Sequence, residues 1–249
     1  MNKGLYCNIA YRINIGDREE QQDCLGLDKK EDSAMAVVCD GMGGLNNGAA
    51  ASATAVRKLI DLYGANESND IPLFFLESVD ILDESVYRIS EKERSSARTG
   101  TTIVSAFINN DGLYWMSVGD SRLYIIRNGA IVAATRDHNY NLLLEEMRKS
   151  NIETKDEDKG EALVSFIGMG GIELMDISRE PFVLKKDDRI LLTSDGLYKL
   201  LSDEQIKDIV IKNGSVEEVA SELLAEALNQ PVENKDNISF ILINMDEKV

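Results

Sequence analysis

Histidine is nearly missing from this chain: His138 is the only one in 249 residues. Histidine-ligated zinc and histidine-based triads are therefore excluded unless that one residue carries them, and a lone histidine is read here as a structural group. Cysteine is scarce too. Cys7, Cys24 and Cys39 are odd in number and show no C-x-x-C spacing, which excludes a disulfide framework or a zinc ribbon and leaves reduced thiols. With three prolines and scattered glycines there is no tether, so the chain is read as a single domain over 1–249. The longest apolar runs reach about half a dozen residues, too short to span a membrane, and residues 1–20 lack a signal-peptide core. A cytoplasmic protein that does not engage membranes is the expectation. Bases are outnumbered by acids, 27 to 44, and the net charge of −17 argues against wrapping nucleic acid. The same imbalance supplies spare carboxylates for hard cations.

What is present begins with Ala36–Gly44. This short apolar strand runs into Asp40 and then into Gly41, Gly43 and Gly44, so it delivers one acid to a sheet end with side chains cleared around it. Residues 4–13 read as an edge strand and Gly16–Asp23 as a polar loop carrying Arg18. Residues 48–63 and 71–91 have helical apolar spacing, the second through Leu73, Leu76, Val79, Leu82, Val86 and Ile89. Four short runs, 101–108, 113–118, 122–127 and 130–134, are separated by turn residues and predict an antiparallel meander. Residues 139–150 read as a helix, 153–161 as an exposed charged loop and 163–167 as a strand. The strand 189–194 again ends in Asp-Gly, at Asp195-Gly196. Ser202 with Gln205, and Ser215 with Glu218, predict capped helices over 203–212 and 216–229, before a last strand at 238–243. Sheets packed face to face with helices outside follow from this order.

Asp40, Asp120, Asp195 and Asp236 stand at strand ends or tight turns. If they converge, each pair at 4 Å repels by about 4 kcal/mol at an effective dielectric of 20, so the cluster calls for cations. Oxygen ligands without histidine or cysteine select magnesium or manganese, and a pair of such ions can clamp an in-line phosphoryl displacement, with Arg18 forking onto the phosphate. An Asp-Gly pair is otherwise usually just a turn, as Asp111-Gly112 illustrates. Rival motifs fail on their own spacing. The dinucleotide fingerprint would need glycine where Asn46 stands, a P-loop would need lysine where Gly48 is followed by Ala49, and no cysteine has an arginine six residues on. The second Gly-Met-Gly-Gly, 168–171, lacks a preceding acid and reads as a strand boundary or turn.

Taken in order, Arg18–Asp23, Val37–Gly44 with Gly48 and Ser52, Thr99-Gly100-Thr101-Thr102, Val118–Arg122, Asp137-His138, Thr193–Gly196 and Asp236-Asn237 resemble the motif series of bacterial PPM-type (type 2C) protein phosphatases. The resemblance spans about residue 5 to residue 243. It implies an α+β fold, an αββα sandwich of two antiparallel sheets flanked by helices, and hydrolysis of phosphoserine or phosphothreonine by a metal-bridging hydroxide. By the same resemblance Asp40 bridges two Mn2+ or Mg2+ ions, Asp195 and Asp236 complete the first, and the Gly41 carbonyl joins the second. Asp120 with Asp195 corresponds to a third ion, Asp23 acts through metal-bound water, and Arg18 holds the phosphate. The partners implied are phosphorylated proteins, among them a cognate Ser/Thr kinase or its targets, or a dedicated switch protein; a monomer is expected.

The chain also departs from that pattern. Gln22 puts a neutral amide where the family usually has glutamate, which raises the alternative of a metal-poor pseudophosphatase that binds phosphoproteins. Ala49 replaces a frequent glutamate, and Met42 replaces a histidine that some relatives carry. Residues 139–178 correspond to the family's flap, where substrate choice is expected to lie.

Overall fold

The computed structural model describes residues 5–43, 47–93, 99–150 and 160–247. Two antiparallel sheets stack face to face. One has the order β1 (Leu5–Asn14), β11 (Ile238–Glu247), β10 (Arg189–Thr193), β7 (Arg122–Arg127), β8 (Ala130–Ala133). The other runs β2 (Asp23–Lys29), β3 (Ser33–Met42), β5 (Ile103–Asn109), β6 (Gly112–Val118), β9 (Asp176–Ile177), with the two-residue β4 (Gly100–Thr101) paired to the end of β3. Helices α1 (Asn47–Ala65) and α2 (Ile71–Glu93) cover the second sheet, while α5 (Asp203–Val210) and α6 (Val216–Asn229) cover the first. The expected αββα sandwich is the architecture found. Among the described residues no helix is long and apolar enough to cross a membrane.

Alternation along the strands explains the three cores. On β3, Met35, Val37 and Cys39 point to α1 and α2, joining Leu59, Tyr63, Phe75 and Leu82. Ala36 and Val38 point the other way, into the layer between the sheets with Val104, Ile190, Leu192 and Ile241. The strand is buried on both faces, and each fully buried aliphatic side chain contributes about 1.5–3 kcal/mol. On the far side, Phe240 and Leu242 of β11 meet Ile206, Val219 and Leu223. The capping boxes at Ser202/Gln205 and Ser215/Glu218 form as their spacing predicts, each hydroxyl accepting from the third helical N–H.

The structure differs from the sequence reading at several places. Residues 163–167 are not a strand: Leu163 and Ile167 make only isolated bridges, to Asn139 and Thr101, and the apolar residues between pack as loop. A strand was not expected at 23–29, where Gly26 interrupts the pattern. The missing side chain there lets Val56 and Ile60 of α1 lie against the backbone. Asp195 does not close a turn but starts one turn of helix, α4 (Asp195–Tyr198). The expected strand 101–108 splits at Thr102 into β4 and β5. Gly168–Gly171 is a loop whose N–H groups at 168, 170 and 171 donate to the Asp83 carboxylate of α2. The helix expected over 139–150 is α3 (Tyr140–Lys149), capped by Asn139. Most of the charged stretch 153–161 lies outside the described residues, as does Gly44.

Candidate active site at one end of the sandwich

At one end the layer between the sheets changes from apolar to polar. Asp40 follows Ala36 and Val38 on the inward face of β3, and Asp23 lies directly opposite it on β2. Like charges facing each other across a strand pair are destabilising, so something must offset this arrangement. Thr102 follows on the same inward face, and its Oγ1 receives the Asp40 N–H at 3.0 Å and meets Ser121 Oγ at 2.6 Å. From the other sheet, Ser194 Oγ donates to Asp23 Oδ2 at 2.8 Å. These hydroxyls were not anticipated, and Ser194 beside the Asp-Gly pair was the available signal.

Glycines after the two acids allow the elements to meet. A Cβ on Gly41 would sit 2.1 Å from the Gly48 carbonyl oxygen, and one on Gly196 would sit 1.9 Å from that of Asn237. The backbone behind Asp40 thus packs on the start of α1, and the backbone behind Asp195 packs on the start of β11. The Gly41 N–H donates to the Gln22 carbonyl at 3.1 Å, and the Gly41 carbonyl oxygen runs alongside Gly48. Asn237 clamps the Arg18 loop: its Nδ2 donates to the carbonyls of Ile15 and Glu20, and its Oδ1 accepts from the Gln22 N–H at 2.7 Å. Arg18 is half exposed and pairs with Asp236 at 2.7 Å. The Gln22 amide donates to Glu20 at 3.0 Å, turned to the glycine-rich side of the site.

The acids influence one another's charge. Burial, then Asp23, Asp195, Asp120 and Asp236 in that order, push the Asp40 carboxyl well above the usual range. Burial pushes Asp23 up to about 7 against the hydroxyls of Ser194 and Ser239, with Asp195 and Asp236 adding to the rise. Burial, then Asp195, raise Asp120 to about 6, while Lys199 holds it down. Asp23 Oδ1 and Asp195 Oδ1 are buried without a hydrogen-bond partner. Among the described residues no three carboxylate, imidazole or thiolate groups sit close enough to form a closed metal cage. The donor set nonetheless suits a hard cation: all oxygen, mutually repelling, with two buried oxygens that nothing satisfies. Asp23, Asp120, Asp195 and Asp236 all act on Asp40 through this field.

Around this centre, His138 is fully buried and serves the turn before Asp120, its Nδ1 accepting the Gly119 N–H at 3.1 Å. Its Nε2 faces Asp176 at 3.7 Å, beyond hydrogen-bond length. Arg122 forks onto Asp137 at 2.8 and 2.6 Å and stacks on the Tyr198 ring at 3.7 Å, and Tyr198 donates its hydroxyl to the Asp120 carbonyl at 2.9 Å. Both ends of the Asp120 turn are thereby fixed. Lys199 lies 2.6 Å from Asp195, a contact that spacing shows only once Asp195 is known to open a helical turn.

The protein phosphatase 2C family model matches residues 10–154 and 176–236. The chain belongs to this family. Serine/threonine phosphatase Stp of Listeria welshimeri is 28% identical over 234 residues, covering 91% of this chain and 90% of that protein. Among solved structures, the S. agalactiae serine/threonine phosphatase superposes with a TM-score of 0.84 at 24% identity, covering 96% of this chain and 99% of that one. The catalytic domain of the phosphatase PstP, solved with two manganese ions, gives 0.76 at 24% identity, with 98% and 100% covered. These type 2C neighbours share the fold described above. The family model leaves 155–175 unmatched, inside the region 139–178 that was expected to be the flap.

Proposed function

We propose that this chain is a magnesium- or manganese-dependent protein serine/threonine phosphatase acting as one catalytic domain on phosphorylated proteins in the cytoplasm. The observation that carries the reading is the convergence of Asp23, Asp40, Asp120, Asp195 and Asp236 at one end of the sandwich, with two buried carboxylate oxygens left without partners. Asp40, Asp195, Asp236, Asp23 and the Gly41 carbonyl would hold the ions, whose chemistry there is to neutralise the cluster and supply Lewis-acid activation for phosphoryl transfer to water. Arg18 binds the phosphate. Its pairing with Asp236 holds the guanidinium at the rim of the site, where its remaining donors can take phosphate oxygens. The Ser194 hydroxyl orients Asp23, and Thr102 fixes the backbone of Asp40. The relatives are themselves serine/threonine phosphatases, and one was solved with manganese. Substrate choice is assigned to 139–178, where the family model breaks off. The reading of a metal-poor binding module rests on Gln22 alone, with every carboxylate of the cluster in place.

The test is phosphate release from phosphoserine and phosphothreonine peptides across a manganese titration, with and without chelator. Release that requires the metal supports the proposal. Micromolar manganese binding with no release at any concentration would favour the binding module.

A further inference from the structure

Of the cations at the acid cluster, one arises from the helical turn that carries a cluster acid. Lys199 follows α4 directly, and its N–H donates to the Asp195 carbonyl at 2.9 Å. This one-turn spacing brings the ammonium back over the Asp195 side chain, 2.6 Å from Oδ2. Asp120 lies within the same field, since Lys199 opposes the rise of its carboxyl. On the outer side Glu161, from the region read as the flap, approaches the ammonium at 3.9 Å. The pose of α4 is set by Tyr198, whose hydroxyl reaches the Asp120 carbonyl beneath the Arg122 stack. At the opposite end of the cluster Arg18 neutralises Asp236. Asp40 and Asp23, in the middle, have no cation beside them in any ion pair among the described residues.

We propose that Lys199 is a resident cation that takes the Asp120–Asp195 end of the cluster, so that divalent ions load at the Asp40 centre and not between Asp120 and Asp195. The sequence resemblance places a third ion on that pair; here an ammonium already pairs with the Asp195 carboxylate, and a divalent ion arriving there would have to displace a tethered charge of its own sign. Lys199 is then a positioning residue. It fixes Asp195 for the central ions and joins that carboxylate to Glu161, so that loading of the site and placement of the flap share one side chain. The inference rests on the phosphatase reading only for the identity of the ions.

Counting bound manganese by calorimetry and by the EPR signal of the free ion tests it on the full chain. Wild type should bind two ions up to millimolar metal. Lys199→Met, which keeps the side-chain stem, should gain a third ion about tenfold tighter or more than any third ion in wild type. Adding Asp120→Asn to Lys199→Met should remove the gain, and Lys199→Arg should count two like wild type. Lys199→Gln replaces Lys199→Met if the latter melts early. Three ions of equal affinity in wild type and Lys199→Met would overturn the inference, as would two in both. A chain that binds no manganese in any form fails the phosphatase reading instead, and the two failures are told apart by the wild-type titration alone.

Discussion

Asp23 shows how much a single carboxyl in this site is worth. Its burial raises the folded pKa from 3.8 to about 7, and Asp120 follows to about 6. A raised carboxyl pKa means that the folded chain holds protons that the unfolded chain has lost, so its stabilising contribution is full below about pH 4 and disappears as pH rises through about 7. The metal-free protein should therefore melt at progressively lower temperature between about pH 5 and 7.5, and Asp23→Asn should flatten that slope. Asp176, lowered against its burial by His138 and Arg136, has the opposite sign and acts only below about pH 4, outside this window. A melting temperature that climbs across the window, unaltered by Asp23→Asn, would contradict the account. At this scale Asp40, Asp120, Asp195 and Asp236 were legible from their places at strand ends or turns, whereas Asp23 was legible only through the motif series. The hydroxyl of Ser194 and the ammonium of Lys199 were not, because their partners lie 171 residues away across the sheets and one helical turn away.

At the scale of elements, the segment Thr193–Tyr198 does most to shape the site. A buried strand feeds Asp195 into a helical turn that packs on the start of β11, and Gly196 leaves no room for a side chain there. Gly196→Ala must push apart the backbones that carry Asp195 and Asp236. The expected result is a loss of about 2–4 kcal/mol in denaturant unfolding and manganese affinity weakened about tenfold or more. Unchanged stability and affinity would mean that this close approach is incidental. Helices α1, α2 and α6 were legible from period and caps because nothing longer-range decides them. Strand β2 was not, since its ladder with β3 decides it and Gly26, which lets α1 lie close, interrupts the apolar pattern. Residues 163–167 carry strand-like composition yet make single bridges, a choice set by their neighbours Asn139 and Thr101.

For the molecule as a whole, the acid end of the sandwich adds local repulsion to a net charge of −17. Folding alone leaves that repulsion in place, so cations should stabilise the chain: manganese strongly and at micromolar to millimolar levels, sodium chloride weakly by screening. Chelation should lower the melting temperature by several degrees, and Asp40→Asn should shrink that difference. Equal melting with metal and with chelator would count against a loaded site. The layered architecture was legible from alternating strands and amphipathic helices, and its specific form through the motif series. Spacing alone does not reveal that the first and last strands pair along their lengths, Leu5 to Glu247 through Asn14 to Ile238. That pairing carries Arg18 to Asp236.

The central claim is that these carboxylates hold metal for phosphate release, and Asp40 is their common neighbour. The direct test measures manganese binding by calorimetry and phosphate release from a phosphothreonine peptide on the same preparation of Asp40→Asn. The account predicts a folded protein in which manganese affinity and turnover fall together, turnover by about a thousandfold or more. An Asp40→Asn protein that keeps wild-type turnover, or loses turnover with metal binding intact, would contradict it.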